Sequence, residues 1–221
     1  MNTALIIGAS GGIGAAIARE LSQRGVRVDT LSRTVDGLDV TDEASISSHL
    51  DGLEGPYDLI FVATGILSAE GADPEKAIRE VTAGALLHQF MTNAVGPMLI
   101  LKHALRLVPR DRRAVFAVLS ARVGSIQDNG IGGWHSYRTS KAALNQLIHG
   151  ASIEMKRTHK QAIAVCLHPG TVATPFTRKY AARHKTVTPE DAAKNLLGVI
   201  DGLKPAQSGG FFDYAGKEIP W

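Results

Sequence analysis

Tyr137 and Lys141 stand four residues apart in Tyr137-Arg138-Thr139-Ser140-Lys141, ahead of a run rich in alanine and leucine. In a helix this spacing puts both side chains on one face, about 6 Å apart along the axis at ~1.5 Å rise per residue. A phenol beside an ammonium can move a proton. The cation stabilises phenolate, so the expected tyrosine pKa lies below its usual value near ~10. The pair alone also reads as a solvated helix face. A second cluster makes it informative. Gly8-Ala9-Ser10-Gly11-Gly12-Ile13-Gly14 carries glycines spaced Gly-x-x-x-Gly-x-Gly, between an apolar run and an amphipathic stretch. Such a turn lets main-chain N–H groups touch a pyrophosphate, whose charge then faces the positive end of the following helix. Gly8, Ser10, Gly12, Ile13 and Gly14 are therefore expected to bind a dinucleotide.

Leu31-Ser32-Arg33 ends the next apolar run. An acidic residue at this point would hold a ribose 2′-hydroxyl, whereas an arginine accommodates a 2′-phosphate. Arg33 thus predicts NADP(H) rather than NAD(H). Asp29 is the competing acid, but it lies earlier in the strand and alternation disfavours it.

The elements that must position these groups follow from the apolar pattern. Strand-like runs at Thr3 to Ile7, Val26 to Leu31, Tyr57 to Ala63, Ala114 to Leu119, Ile163 to Leu167 and Gly209 to Tyr214 alternate with helical stretches. The helices are expected at Ala15 to Arg24, Asp42 to Leu50 with Thr41 as cap, and Glu75 to Leu107 with a break near Gly84. Two more are expected at Ser136 to Thr158 and at Pro189 to Ile200, the last capped by Thr188. Continuously apolar strands are covered on both faces. The pattern predicts an α/β fold with a doubly wound, Rossmann-type parallel sheet in a single domain over residues 1–221. Ligands bind such sheets beyond the carboxyl ends of the strands.

Composition narrows the function. With 221 residues, 44% hydrophobic and 20% charged, the chain can bury one sizeable core. The net charge of +3 is small, and the Arg106, Arg110, Arg112 and Arg113 cluster has no interleaved aromatic platform, so no nucleic-acid partner is expected. No stretch approaches the ~18–20 apolar residues of a membrane span, and a cytoplasmic location is expected. Cys166 is the only cysteine, and the eight histidines lack ligand spacing, so no metal is expected.

The glycine turn and the Tyr-x-x-x-Lys pair, in this order and separation, resemble the short-chain dehydrogenase/reductase family along the whole chain. The resemblance implies roles for further residues. Asp39 and Val40, in Leu38-Asp39-Val40, match a segment that contacts the adenine. Asn93, in Thr92-Asn93-Ala94-Val95-Gly96-Pro97, matches an asparagine that helps hold a proton-relay water. Pro169, Gly170, Val172 and Thr174 match the Pro-Gly segment lining the nicotinamide, and Tyr137 and Lys141 also contact the cofactor. Gly124-Ser125-Ile126, Gly132-Gly133-Trp134 and the carboxyl-terminal Gly209-Gly210-Phe211 look like C-factor and sniffer-type carbonyl reductases.

The chain departs from the family twice. Val62-Ala63-Thr64-Gly65 keeps only the glycine of the usual Asn-Asn-Ala-Gly. In Ser120-Ala121-Arg122-Val123-Gly124-Ser125, alignment puts Ala121 in the catalytic serine's slot, leaving Ser120, Ser125 or neither to replace it; Ser120 is preferred. The implied activity is hydride transfer between NADP(H) and a small carbonyl or alcohol. Tyr137 would be the general acid/base, assisted by Lys141, Asn93 and Ser120. The alternative is a nucleotide-binding signalling or regulatory protein with little turnover. Thr174 to Thr186, with its cluster of Lys and Arg, is expected to form a substrate lid. The family further implies a homodimer or homotetramer.

Overall fold

Six strands form one parallel sheet: β1 (Thr3–Ile7), β2 (Arg27–Leu31), β3 (Leu59–Val62), β4 (Ala114–Leu119), β5 (Ala162–His168) and β6 (Phe211–Asp213). Their order is β2-β1-β3-β4-β5-β6. Strand order therefore reverses between β1 and β3, the point at which doubly wound sheets bind ligands. The computed structural model describes residues 1–68, 72–175, 177 and 186–221.

Alternation along the strands sends side chains to two cores. Ala4, Ile6, Leu59, Phe61, Val165 and Leu167 pack with Ile17 and Leu21 of α1 (Gly12–Gln23) and Leu196 and Ile200 of α7 (Pro189–Gly202). On the other face, Leu5, Ile7, Phe116 and Cys166 pack with Ile100 of α5 (Gly96–Ala104) and with Leu144 and Ile148 of α6 (His135–Met155). Ile46 and Leu50 of α3 (Glu43–Asp51) close that layer. The short α2 (Arg33–Asp36) follows β2 directly, and α4 (Ala83–Phe90) precedes α5.

Several helix boundaries differ from expectation: α1 starts at Gly12 rather than Ala15, and α6 ends at Met155 rather than Thr158. Asp42, not Thr41, caps α3: its carboxylate accepts the N–H of Ala44 at 3.0 Å. Thr41 folds back instead, and its N–H and hydroxyl both bond Asp39 Oδ1, at 2.8 and 2.7 Å. The long helical region is interrupted close to Gly84, where Val81 and Thr82 are extended. Thr82 caps α4 by accepting from Ala85 N at 3.1 Å, so Gly84 sits inside the first turn. A π-turn at Met91–Val95 then leads into α5. Thr188 caps α7, as its spacing predicts.

Candidate active site

The carboxyl ends of the central strands open on a cleft of about 800 Å³. Ser10, Gly12, Ile13, Gly14, Gly65, Ser120, Tyr137, Lys141, Pro169, Gly170, Val172 and Thr174 all line it. Gly8, Arg33, Asp39, Val40 and Asn93 do not. Gly8 shapes the turn from within: its φ is +89°, and its N–H bonds Leu31 O at 2.8 Å. A Cβ on Gly14 would stand 2.3 Å from Gly8 O, so this helix start can approach the turn only as glycine.

Arg33 begins α2 just beyond β2, fully outside the strand, and its charge helps hold the Asp39 carboxyl below its ordinary value behind the larger effect of the Thr41 hydrogen bonds. Asp29 is committed elsewhere: the Tyr57 hydroxyl donates to its Oδ2 at 2.6 Å. Beside the turn lies a second cavity of about 250 Å³, lined by Ser10, Ser32, Asp36 and Arg19 among others. Val40 serves packing: its carbonyl lies where a Cβ on Gly96 would be 2.5 Å away.

Tyr137 and Lys141 share one face of α6, as their spacing predicts. Lys141 Nζ stands 5.9 Å from the Tyr137 ring centroid and donates to Leu119 O at 2.7 Å. The two side chains are 7% and 3% exposed. This burial overturns the expected tyrosine shift. Removal from water raises the phenol's pKa and lowers that of the lysine to about 8. Full burial moves a pKa by as much as ~3–5 units, against ~1–3 for a nearby opposite charge, so desolvation prevails. Tyr137 is therefore held protonated. The Trp134 indole meets its ring edge-on, with centroids 6.3 Å apart.

Asn93 comes from the π-turn and is completely buried. Its Oδ1 accepts Ile66 N at 2.8 Å, and its Nδ2 donates to Ile66 O at 2.8 Å and Ser140 Oγ at 3.0 Å. A Cβ on Gly65 would lie 3.2 Å from Asn93 Oδ1 and 3.5 Å from Lys141 Nζ, which places the three together. Ser120 lies in the cleft wall, but its hydroxyl donates to Asn145 Oδ1 at 2.7 Å. Ser125 lies outside the lining, and its hydroxyl accepts from Asp128 N at 3.1 Å.

Some residues of the site escaped the sequence reading. Glu75 is buried, and its carboxylate accepts from the Ser136 hydroxyl and, at 3.3 Å, from Ser136 N. Its carbonyl accepts Trp134 N at 2.5 Å, so one residue ties down the entry to α6. No local pattern could mark it, because its partners lie about 60 residues away. Thr64 and His168 line the cleft, and their buried Oγ1 and Nδ1 respectively have no hydrogen-bond partner among the described residues. His168 had a signal, since it is the last residue before Pro169-Gly170. The expected lid falls mostly on residues 176 and 178–185, outside the described residues.

This arrangement can hold a dinucleotide and move a proton. Comparison with known proteins gives the family. Residues 8–201 match the family model described as enoyl-(acyl carrier protein) reductase. The chain is 30% identical to 1-hydroxy-2-glutathionyl-2-methyl-3-butene dehydrogenase of Rhodococcus sp. (strain AD45), covering all of both chains. It is 33% identical to the C-signal protein of Myxococcus xanthus, over 76% of this chain and 94% of that one. A short-chain dehydrogenase/reductase from Burkholderia multivorans, solved with bound NADP, superposes with a TM-score of 0.79 at 27% identity, covering 100% of this chain and 99% of that one. The chain belongs to the short-chain dehydrogenase/reductase family of oxidoreductases.

Proposed function

We propose that the chain is an NADP(H)-dependent oxidoreductase that interconverts a small carbonyl compound and its alcohol, with Tyr137 as general acid/base. The observation that carries this reading is the convergence of the glycine turn, Gly65, the Pro169-Gly170 segment, Tyr137 and Lys141 on one cleft. The residues present fit the cofactor. Main-chain N–H groups at the start of α1 suit a pyrophosphate, and Thr64 Oγ1 offers a polar atom in the wall that has no partner among the described residues. Arg33 would hold the 2′-phosphate, Asp39 and Val40 the adenine, and Lys141 the nicotinamide ribose. Pro169, Gly170, Val172 and Thr174 would line the nicotinamide.

The bound cofactor supplies or accepts the hydride. The chain's own residues handle the proton. Buried Tyr137 keeps its proton at the hydroxyl until a carbonyl oxygen gains negative charge, and then donates it. Lys141 sets a positive charge beside that oxygen in a cleft of low dielectric. Asn93 joins Ile66 to Ser140 and so holds the wall of the site to α6; with its side chain so engaged, a relay water would be held by main-chain atoms nearby.

The test is NADPH oxidation against a panel of ketones and aldehydes, compared with cofactor binding alone. Turnover is expected; binding without turnover would favour a regulatory protein. Arg33→Ala should raise the Kd for NADPH by about tenfold or more, equivalent to ~1.4 kcal/mol or more, and leave NADH nearly unchanged. Equal weakening of both cofactors would show that Arg33 is not the 2′-phosphate contact.

A further inference from the structure

A carbonyl that receives its proton from Tyr137 gains from a second hydrogen-bond donor, and neither serine of the 120–125 segment is placed to supply it. Position 121 is alanine, the Ser120 hydroxyl is taken by Asn145, and Ser125 lies outside the cleft lining. His168 stands beside this gap. Leu119 pairs with Leu167 across β4 and β5, and Ser120 N donates to Leu167 O at 2.8 Å. His168 therefore lies at the carboxyl end of β5 next to Ser120, about one strand spacing (~4.8 Å) away. Alternation sends its ring to the same face as Cys166, which packs in the core beneath α6. Cys166 and Lys141 are close enough to influence each other's ionisation. His168 lies two residues further toward the cleft on that same face, and it lines the cleft with Tyr137.

Nδ1 is buried with no hydrogen-bond partner among the described residues, whether it carries a proton or a lone pair. In the neutral tautomer with its proton on Nε2, the ring has a hydrogen-bond donor to offer to the cleft that it lines. Asp213 is paired with His168 in register, but its carboxylate already accepts from Arg122 Nη2 at 3.1 Å and from Ala215 and Lys217 N–H at 3.0 Å each. Burial, then the Arg122 charge, hold the imidazole's pKa at about 4, so the ring is neutral at physiological pH.

We propose that His168 takes over the task of the serine absent at position 121, its Nε2–H donating a hydrogen bond to the substrate carbonyl oxygen while Tyr137 supplies the proton. The inference rests on the carbonyl-reduction reading above. His168→Ala should lower kcat for NADPH-dependent reduction by roughly 10²-fold, the usual effect of removing one donor to a developing oxyanion, with NADPH affinity and Tm little changed. His168→Gln, which keeps a donor, should recover part of the loss. Adding Ala121→Ser to His168→Ala should recover at least tenfold, which a merely structural histidine would not allow. A kcat for His168→Ala within threefold of wild type overturns the inference, and so does a loss that neither His168→Gln nor the added Ala121→Ser relieves. Wild-type protein that binds NADPH but reduces no carbonyl on the panel overturns the underlying reading, and this inference with it.

Discussion

Tyr137→Phe is expected to abolish nearly all NADPH-dependent carbonyl reduction, by about 10³- to 10⁴-fold in kcat, while NADPH still binds. General acid catalysis by a positioned side chain contributes ~10²–10⁴-fold, and the upper part of that range applies here for a structural reason. The phenol is buried against Trp134 and raised in pKa by that burial, so it holds its proton where water cannot easily replace it. The variant removes one oxygen from a ring that is otherwise retained, so packing of the 7% exposed side chain is preserved. Steady-state kinetics with fluorescence titration of NADPH checks both halves. Retained turnover would falsify the assignment of Tyr137 as proton donor; lost cofactor binding would make its role structural.

Lys141→Met is expected to lower kcat by at least 10²-fold and yet raise the melting temperature of the cofactor-free chain at neutral pH. Lys141 is 3% exposed, and its pKa falls from 10.5 to about 8, chiefly through burial. A folded-state value below the unfolded one means that charge is expensive in the fold. Below about pH 8 the full penalty applies, of the order of 3 kcal/mol. Between about 8 and 10.5 the unfolded chain keeps a proton that the folded chain has lost, so this group makes stability rise with pH. Cys166, from an ordinary value of 9.0, and Tyr137, from 10.0, are raised by burial and act in the opposite sense above those values. The readout is therefore the difference between wild type and variant, which should shrink from pH 8 to 10. Methionine fills similar volume but leaves Leu119 O without its lysine donor, which offsets ~1–2 kcal/mol of the gain. The net is a rise of a few degrees, at ~2–4 °C per kcal/mol for a chain of this size. A lower Tm for the variant, or a difference that grows with pH, would show that the ammonium stabilises the fold.

Much of this molecule was legible from local rules. Continuously apolar runs located β1, β3, β4 and β5, because a strand covered on both faces has no polar side to show, whereas β2 lies at the edge of the sheet and keeps Arg27, Asp29 and Thr30. Thr188 before Pro189 marked the start of α7 because capping is a property of adjacent residues. The Thr41 expectation failed by one residue, since either oxygen could cap and only the Asp39 turn decides which one is free. The π-turn left no periodic trace, although it is what brings Asn93 to Ser140.

By itself the sequence determined the glycine turn, the Tyr137–Lys141 face and the class of fold that joins them, because each depends on neighbours within a few residues and on side-chain periodicity. Tertiary structure alone decided the electrostatics and the donors. Burial reversed the expected shift of Tyr137, Asn145 took the hydroxyl of Ser120, and strand register set His168 beside Ser120. These depend on which distant segments meet and on how much water they exclude, and neither quantity is written in the spacing of residues along one chain.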